Sequence, residues 1–309
     1  MIGNEENNML DFRIETFLQV CEDMNYTRAA QRLNLTQPAV SQHIRWLEEK
    51  LGAPLFLYQG KKLQLTPAGI LLKNTAATMN HDILNLKEKM QETLNQKPPL
   101  KMGLTLTIAE FEVSRSIAAY LSQNNIRSVL LSVDNTKTLL QELDEGYIDF
   151  ALVEGNFPRE IYHHQLYARE RYIGVCRPDD PLASGTHSIE ELLQYRLVTR
   201  EAGSGTRNIL ERYLEMKSLE VSSFSALVEA GSIGLIKQLV EYGCGITFLY
   251  QAAVNKELKE GRLCEIKIAN MEIVHDFSFI WRENSLFFED YQKVFEFLKE
   301  HKKLLEEKL

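Results

Sequence analysis

The chain has 309 residues, a length that suggests two or three domains. Hydrophobic residues make up 44% and charged residues 25%, which excludes a wholly disordered chain, and no apolar run reaches the roughly 18 residues of a transmembrane helix. The net charge of −8 comes from residues 100–309, so charge neither requires nor excludes a nucleic-acid partner for the neutral first third.

The N-terminal segment is polar and acidic. A secretory signal would begin with basic residues followed by an apolar run, and residues 1–8 contain neither. We therefore expect residues 1–9 to be a flexible leader and the protein to be cytoplasmic.

Residues 10–66 have the pattern of a winged helix-turn-helix domain. Apolar residues recur at three-to-four spacing over residues 11–21, and a short helix follows at residues 28–33, with Asn25 or Thr27 as its cap. After a tight turn, Thr36 caps a helix over residues 37–51 that ends at Gly52. This second helix presents Gln, Ser and Arg side chains, which suit base edges. Strands at residues 54–58 and 63–65 enclose a tip whose two lysines suit phosphate contacts.

Residues 67–97 are predicted to form one long linker helix. Thr66 caps it, Pro67 takes its first position, and Pro98 marks its end. Apolar residues repeat along it with heptad spacing, at Leu72, Ala76, Met79, Ile83, Leu86 and Met90. A lone helix cannot bury such a seam, so we expect a dimer helix; the alternative is burial against its own chain.

Residues 98–309 alternate between strands and helices, an order typical of an α/β domain with largely parallel sheets. Strands are predicted at residues 100–107, 129–133, 150–153, 172–175, 197–199, 224–228, 245–249 and 277–281. Helices are predicted at residues 114–123, 137–145 (capped by Thr136), 189–195, 208–216, 232–242 and 286–306. This length suits two subdomains with a cleft between them, the first at about residues 98–170 and 267–309 and the second at about residues 171–266.

The ordered motifs of residues 27–69 resemble the winged helix-turn-helix of LysR-type transcriptional regulators. They read TRAAQRL at residues 27–33, TQPAVSQHI at 36–44, LEEKLG at 47–52, PLF at 54–56 and LTPAG at 65–69. Runs similar to those of the family's effector domain occur as GYIDFAL at residues 146–152 and VEYGCGI at 240–246. The resemblance spans nearly the whole chain.

The resemblance implies an α+β multidomain fold: a DNA-binding head, a linker helix that pairs antiparallel in a dimer, and a periplasmic-binding-protein-like effector domain of two subdomains. It implies dimers or tetramers and a small inducer between the subdomains. The DNA contacts it implies are Arg28, Thr36, Gln37, Pro38, Ser41, Gln42 and Arg45, with the wing lysines Lys61 and Lys62. Where members commonly carry Arg after the Leu-Phe-x of the wing, this chain has Tyr58, and the lost charge is expected to weaken salt-sensitive binding.

The loop at residues 200–207, REAGSGTR, follows a predicted strand and precedes a predicted helix. Its small residues expose backbone N–H groups, and a helix start favours an anion, although the Gly-Lys-Ser/Thr of a P-loop is missing. The alternative is a capped helix after a turn, but with the resemblance, which puts ligand contacts here, we expect an anion-binding edge. Together with polar strand ends of the first subdomain, the expected effector contacts are Thr105, Thr107, Ile108, Thr136, Gly203, Ser204, Gly205 and Thr206.

Other chemically versatile residues are expected to be structural. Solvated or surface positions are expected for Arg200, Arg207, His163, His164 and His275, although either arginine would suit a carboxylate. The cysteines, Cys21, Cys176, Cys244 and Cys264, form no C-x-x-C pair, so isolated buried thiols are expected in preference to a redox or metal site.

These features together predict a sequence-specific transcriptional regulator controlled by a small, anionic effector. An enzyme would need a convergent acid–base or nucleophilic set, and a plain solute-binding protein would carry a secretion signal and no DNA-binding head. The expected partners are double-stranded DNA with paired half-sites, the effector, further copies of the chain and, as a candidate, RNA polymerase. No cofactor, metal or membrane is expected.

Overall fold

The computed structural model describes residues 9–92, 99–124, 128–155 and 157–306. Two compact units are present: one comprises Met1–Pro98, Glu142–Tyr147 and Arg282–Phe288, and the other comprises Pro99–Gln141, Ile148–Trp281 and Glu289–Leu309. The predicted leader up to residue 8 and the predicted helix end at residues 93–97 lie outside the described residues.

The first unit begins with three helices, a hairpin and a long helix. The elements are α1 (Phe12–Asp23), α2 (Tyr26–Arg32), α3 (Gln37–Leu51), β1 (Phe56–Gln59), β2 (Lys62–Leu65) and α4 (Pro67–Glu92).

Short polar side chains define where these helices begin. The Thr36 hydroxyl accepts the N–H of Ala39 at 3.3 Å, and Gly52 closes α3 in the left-handed conformation, as predicted. Asn25 rather than Thr27 caps α2, because its carboxamide oxygen accepts the N–H of Arg28 and Thr27 already lies within the first turn.

The first three helices enclose a small apolar core. Phe17, Val20, Val40, Ile44 and Leu55 are almost fully buried there. The start of α4 packs so closely that a Cβ on Gly69 would lie 2.1 Å from the carbonyl oxygen of Leu55, so the close approach requires glycine.

Residues 142–147 and 282–288 pack along α4 within the same unit. The Arg282 side chain, 1% exposed, pairs with Asp144 and donates to the carbonyl oxygen of Asn74 (2.6 Å) and the hydroxyl of Thr78 (3.1 Å). These bonds hold one face of α4 within its own chain.

A second group of bonds joins the same segments. The Asp82 carboxylate accepts the Ser285 hydroxyl at 2.7 Å and the Leu286 N–H at 2.9 Å. Although burial opposes it, hydrogen bonding from His81, Ser285 and the Leu286 N–H leaves the pKa of Asp82 below its ordinary value.

The elements that follow α4 alternate between strands and helices. They are β3 (Leu100–Leu104), α5 (Ser114–Gln123), β4 (Val129–Val133), α6 (Thr136–Glu145), β5 (Phe150–Glu154), β6 (Tyr162–Cys176), α7 (Ile189–Leu192), β7 (Arg196–Thr199), α8 (Gly205–Met216), β8 (Ala226–Glu229), α9 (Ile233–Glu241), β9 (Thr247–Tyr250), α10 (Gln251–Lys259), β10 (Cys264–Ile266), β11 (Ile273–Arg282) and α11 (Phe288–Glu306).

The main sheet of the second unit is mixed rather than largely parallel, which corrects the sequence prediction. Its strand order is β10-β6-β11-β5-β3-β4, and β9 also pairs with β6. Pairs β3–β4 and β3–β5 are parallel, whereas β10–β6, β6–β9 and β11–β5 are antiparallel. The sheet is mixed because the long strands β6 and β11 run opposite to the strands β9, β10 and β5 that they pair with, whereas β3, β4 and β5 form parallel pairs.

Several element bounds differ from prediction, and the start of β6 and the cap of α6 differ for identifiable reasons. Strand β6 begins ten residues before its predicted start. Its first part, residues 163–171, is rich in polar residues, so the sequence gives no apolar signal for a strand there although the backbone is paired. Asn135 rather than Thr136 caps α6: its carboxamide oxygen accepts the N–H of Thr138, while the Thr136 hydroxyl donates to the carbonyl oxygen of Glu154 at 2.7 Å.

The cysteines are all free thiols, but they are not all isolated. Cys176 and Cys264 lie directly opposite each other on the antiparallel strands β6 and β10. Burial raises the pKa of Cys176 to about 12, which makes it a poor nucleophile.

Across the described residues, none of the helices combines the length and apolar character needed to cross a membrane.

Candidate functional site

The exposed face of α3 is the first candidate site. Thr36, Gln37, Pro38, Gln42 and Arg45 are exposed along it. The Gln37 carboxamide donates to the half-buried Ser41 hydroxyl at 3.0 Å, which orders both side chains on that face. Because Val40, Ile44 and Leu47 anchor the opposite face in the core, α3 presents a rigid polar surface of the kind that reads base edges.

The hairpin β1–β2 provides an exposed wing. Its tip turns at Gly60, which has a φ of 65°, and Lys61 and Lys62 are exposed beside it. Tyr58 is also exposed on β1, so its hydroxyl is accessible to a phosphate. Arg28, on α2, is exposed as well.

The predicted dimer seam on α4 divides into two faces. Met79, Leu86 and Met90 are 53%, 41% and 60% exposed, and Leu71 beside them is more exposed still. Ala76 is buried, and Leu72 packs against the core of the three helices. The apolar stripe open to solvent therefore comprises Leu71, Met79, Leu86 and Met90. It is shifted from the predicted seam because Ala76 is buried and Leu72 is covered by the core of the three helices.

Two adjacent cavities in the second unit form the other candidate site. The Arg200 cavity, of about 230 Å³, is lined by Thr105, Leu106, Val133, Asp134, Asn135, Thr136, Glu154, Arg200, Glu201, Ser204 and Gly205. The Lys137 cavity, of about 330 Å³, is lined by Asn135, Thr136, Lys137, Leu140, Glu154, Gly155, Gly203, Gly205, Asn208, Ile209, Arg212 and His275. Their volumes suit a small molecule.

The predicted effector residues converge here, with exceptions. Thr105, Thr136, Gly203, Ser204 and Gly205 line one or both cavities. The hydroxyls of Thr107 and Thr206 are buried and lie 3.5 Å from each other, behind the cavity walls. Ile108 is fully buried in the core at the start of a π-helical turn, Ile108–Glu112, so it offers no surface to a ligand.

The start of α8 carries polar groups toward the cavities. Gly203 takes a φ of 89°, a conformation that glycine adopts without strain, and this turns the chain into the helix. Ser204 precedes the first turn, yet its hydroxyl makes no capping hydrogen bond. The first N–H groups of this twelve-residue helix and the Ser204 hydroxyl form a donor-rich edge.

The two arginines of the loop are neither solvated nor unpaired. Arg200 forms two hydrogen bonds of 2.8 Å to the Glu201 carboxylate. Arg207 pairs with Glu211 at 2.7 Å and with Glu229 at 2.5 Å. Their charges are compensated within the chain, so the expectation of solvated arginines is wrong.

Positive charge instead lines the Lys137 cavity. Lys137 and Arg212 contribute cationic side chains, and His275 of β11 lines the cavity with its ring against Tyr250. Burial and the nearby charge of Arg212 lower the pKa of His275, so its ring is neutral at pH 7. The sequence predicts a surface position for His275. No local sequence pattern indicates that the fold brings this residue next to the cavity.

Glu154 is the residue that the sequence analysis missed. It ends the fully buried strand β5 at the wall that both cavities share, and it is 4% exposed. One carboxyl oxygen accepts the Thr206 hydroxyl at 3.3 Å, and the other has no hydrogen-bond partner. Burial raises the pKa of Glu154 to about 7, although hydrogen bonding from Thr206 and the charge of Arg200 oppose the rise. The available signal in the sequence was an acidic residue placed directly after the apolar run of residues 150–153.

Two family models match this chain. The family model described as "Bacterial regulatory helix-turn-helix protein, lysR family" matches residues 13–70, and "LysR substrate binding domain" matches residues 95–303. The RuBisCO operon transcriptional regulator of Acidithiobacillus ferrooxidans is 30% identical over 263 residues, covering 83% of this chain and 82% of that protein. An uncharacterized HTH-type transcriptional regulator of Methanocaldococcus jannaschii is 26% identical, covering 84% and 88%.

Solved structures share the fold. Corynebacterium glutamicum OxyR has 22% identity and a TM-score of 0.58, with 96% of this chain and 93% of that chain covered. The regulatory domain of Synechocystis CcmR, solved in complex with 2-PG, has 22% identity and a TM-score of 0.59, with 66% and 97% covered. A Vibrio fischeri DarR structure in complex with DNA has 21% identity and a TM-score of 0.52, with 94% and 99% covered.

Proposed function

The chain belongs to the LysR family of transcriptional regulators, DNA-binding proteins rather than enzymes, and from this premise we propose that α3 reads an operator while a small anion in the two cavities controls that binding. The observation that carries the proposal is the pairing, in one chain, of a rigid polar face on α3 with a donor-rich cavity at the start of α8. Such a protein acts where the DNA is, in the cytoplasm.

Specific DNA contact is assigned to Gln42 and Arg45. Each exposed side chain lies one or two turns into α3, where Gln suits adenine and Arg suits guanine. Replacing either by Ala is expected to weaken binding to the operator, identified by selecting the genomic fragments that the protein binds, by about 1–3 kcal/mol. Binding to random DNA is expected to be unchanged. Fluorescence anisotropy with both DNAs measures the difference.

The wing supplies the matched comparison. Lys61→Ala is expected to weaken operator and random DNA alike and to lower the salt dependence of binding by about one counterion. An equal loss on both DNAs for the Arg45 variant would instead assign Arg45 to the phosphate backbone.

An anionic effector is supported by the chemistry of the cavity edge. The start of α8 and the Lys137 side chain provide positive potential, whereas Arg200 is already neutralised by Glu201. The related fold of CcmR holds 2-PG, which makes 2-PG a reasonable first probe. We place the effector across both cavities, with one anionic group at the Lys137 cavity and a second beside Ser204 in the Arg200 cavity.

Ser204 provides a direct test of this placement. Its hydroxyl lines the Arg200 cavity and makes no capping bond, so Ser204→Ala removes a donor without disturbing the helix. The affinity for 2-PG, measured by calorimetry, is expected to fall by about 1–3 kcal/mol, as for a hydrogen bond to a charged group. Thr186→Ala, at an exposed position remote from both cavities, is the control; equal affinities for both variants would remove Ser204 from the site.

Self-association is supported by two apolar surfaces. The stripe of Leu71, Met79, Leu86 and Met90 on α4 suits pairing with a second linker helix. Strand β4 ends the main sheet and exposes Leu130, Leu131 and Val133. One surface accounts for a dimer, and the two together account for a tetramer.

A charge in the α4 stripe is expected to separate the subunits. Met79→Glu puts a carboxylate into a symmetric apolar contact twice per dimer, which is expected to weaken dimerisation at least about 100-fold, or roughly 3 kcal/mol. Analytical ultracentrifugation measures the change. Asn80→Glu adds the same charge one position away, off the stripe, and is expected to leave the assembly unchanged.

A further inference from the structure

Glu154 presents an unusual combination of position and pairing. It lies at the wall common to the Arg200 and Lys137 cavities, and one of its carboxyl oxygens has no hydrogen-bond partner. The Arg200 cavity is lined by a second such group, because the buried Thr105 hydroxyl also lacks a hydrogen-bond partner. Native proteins rarely leave buried polar atoms unpaired, so this wall has hydrogen-bonding capacity that its own chain does not use.

The groups that face Glu154 do not compensate a negative charge. Tyr172 and Tyr250, on β6 and β9, have their pKa values raised mainly by burial and further by Glu154. The Tyr172 hydroxyl donates to the carbonyl oxygen of Thr206 and not to Glu154. Thr206 and Thr107 supply hydroxyls, and the cation that acts on Glu154, Arg200, is engaged by Glu201.

An anion beside this wall would meet a second negative charge if Glu154 were ionised. Two like charges a few ångströms apart in a partly buried site favour protonation of one of them. Since the pKa of Glu154 is already raised to about 7, with burial outweighing the hydrogen bonds and the charge of Arg200, a bound anion is enough to hold the carboxyl neutral across the physiological range.

We propose that Glu154 is a specificity-determining residue that makes the effector site proton-linked: the oxyanion effector binds the form in which Glu154 is protonated, and binding to the ionised form takes up a proton. This rests on the proposed anion site. Neutral Glu154 tolerates a carboxylate or phosphate, whereas ionised Glu154 would favour a cationic ligand, so the proton selects the charge class of the effector.

The test is calorimetry of 2-PG binding at pH 8 in buffers of different ionisation enthalpy, which counts protons taken up. A carboxyl with a pKa of about 7 is about 90% ionised at pH 8, so the wild-type chain is expected to take up about 0.9 proton more than Glu154→Gln. From pH 6 to pH 8 its affinity is expected to fall about tenfold further than that of the variant. Proton exchange by the probe itself cancels between the two proteins.

Asp134→Asn is the matched control, because it removes an exposed carboxylate from the same cavity and is expected to take up as many protons as the wild type. Sulfate, whose charge is constant between pH 6 and 8, is the second probe, and it reports proton uptake by the wild type even if the Gln variant binds poorly. Equal proton uptake by wild type and Glu154→Gln, with binding intact, would overturn the proposal. Absence of binding by both probes would instead overturn the anion site, and the proton linkage with it.

Discussion

Glu154→Gln is expected to stabilise the protein at pH 8 by about 3 kcal/mol. The ordinary pKa of a glutamate, 4.5, is raised in the fold to about 7, so the folded state holds this proton more tightly than the unfolded chain. Stability contributed by the bound proton is fully present below pH 4.5 and is lost as the pH rises through 7, at about 1.4 kcal/mol for each unit of pKa difference. Glutamine keeps the shape and cannot ionise.

Urea unfolding at pH 5 and pH 8 measures this effect. The difference between variant and wild type is expected to be small at pH 5 and to grow to its full value at pH 8. Glu160→Gln, an exposed glutamate of the same unit, is the control and is expected to change neither value. A Glu154→Gln variant less stable than the wild type at pH 8 would show that the carboxylate is compensated after all.

Asp144→Ala is expected to destabilise the first unit by about 2–3 kcal/mol. The Arg282 guanidinium is buried, and removing the Asp144 carboxylate takes an ion-pair partner from that buried charge. Breaking a fully buried pair costs about 3–5 kcal/mol, and the smaller value is expected here because the Asp144 side chain is 38% exposed and partly screened by water.

A double variant separates the charge from the packing. Asp144→Ala combined with Arg282→Met removes the buried cation together with its carboxylate, so it is expected to be more stable than Asp144→Ala alone. Thermal unfolding of the three variants measures this. If the double variant loses the sum of the two single losses, the guanidinium acts through its bonds to Asn74 and Thr78 rather than through its charge.

The head of the protein was predictable because its signals are local. Thr36 and Gly52 delimit α3 through their own backbone preferences, and the apolar spacing of Val40, Ile44 and Leu47 fixes which face is buried. The exposed face then follows from helix geometry alone. The exposed stripe of α4 was only partly predictable, because the segment that bonds to Asn74, Thr78 and Asp82 of α4, residues 282–286, comes from much later in the chain.

The cavities were predictable only in part, because their chemistry depends on long-range pairing. The loop at residues 200–207 carried a local signal, and Ser204 and Gly205 do line a cavity. Glu154 is brought to the shared wall by the position of β5 within the sheet, which no local pattern encodes. Arg200 and Glu201 are neighbours that neutralise each other through an ion pair. The residue types alone do not show whether such neighbours pair with each other or are solvated.

Recognition of a defined operator through α3 of two subunits can be tested by selecting genomic fragments with the purified protein at low and near-physiological salt. We expect enrichment of one sequence with two half-sites, retained at the higher salt and lost with Arg45→Ala. Recovery of unrelated fragments that disappears as salt rises, with no common sequence, would contradict it.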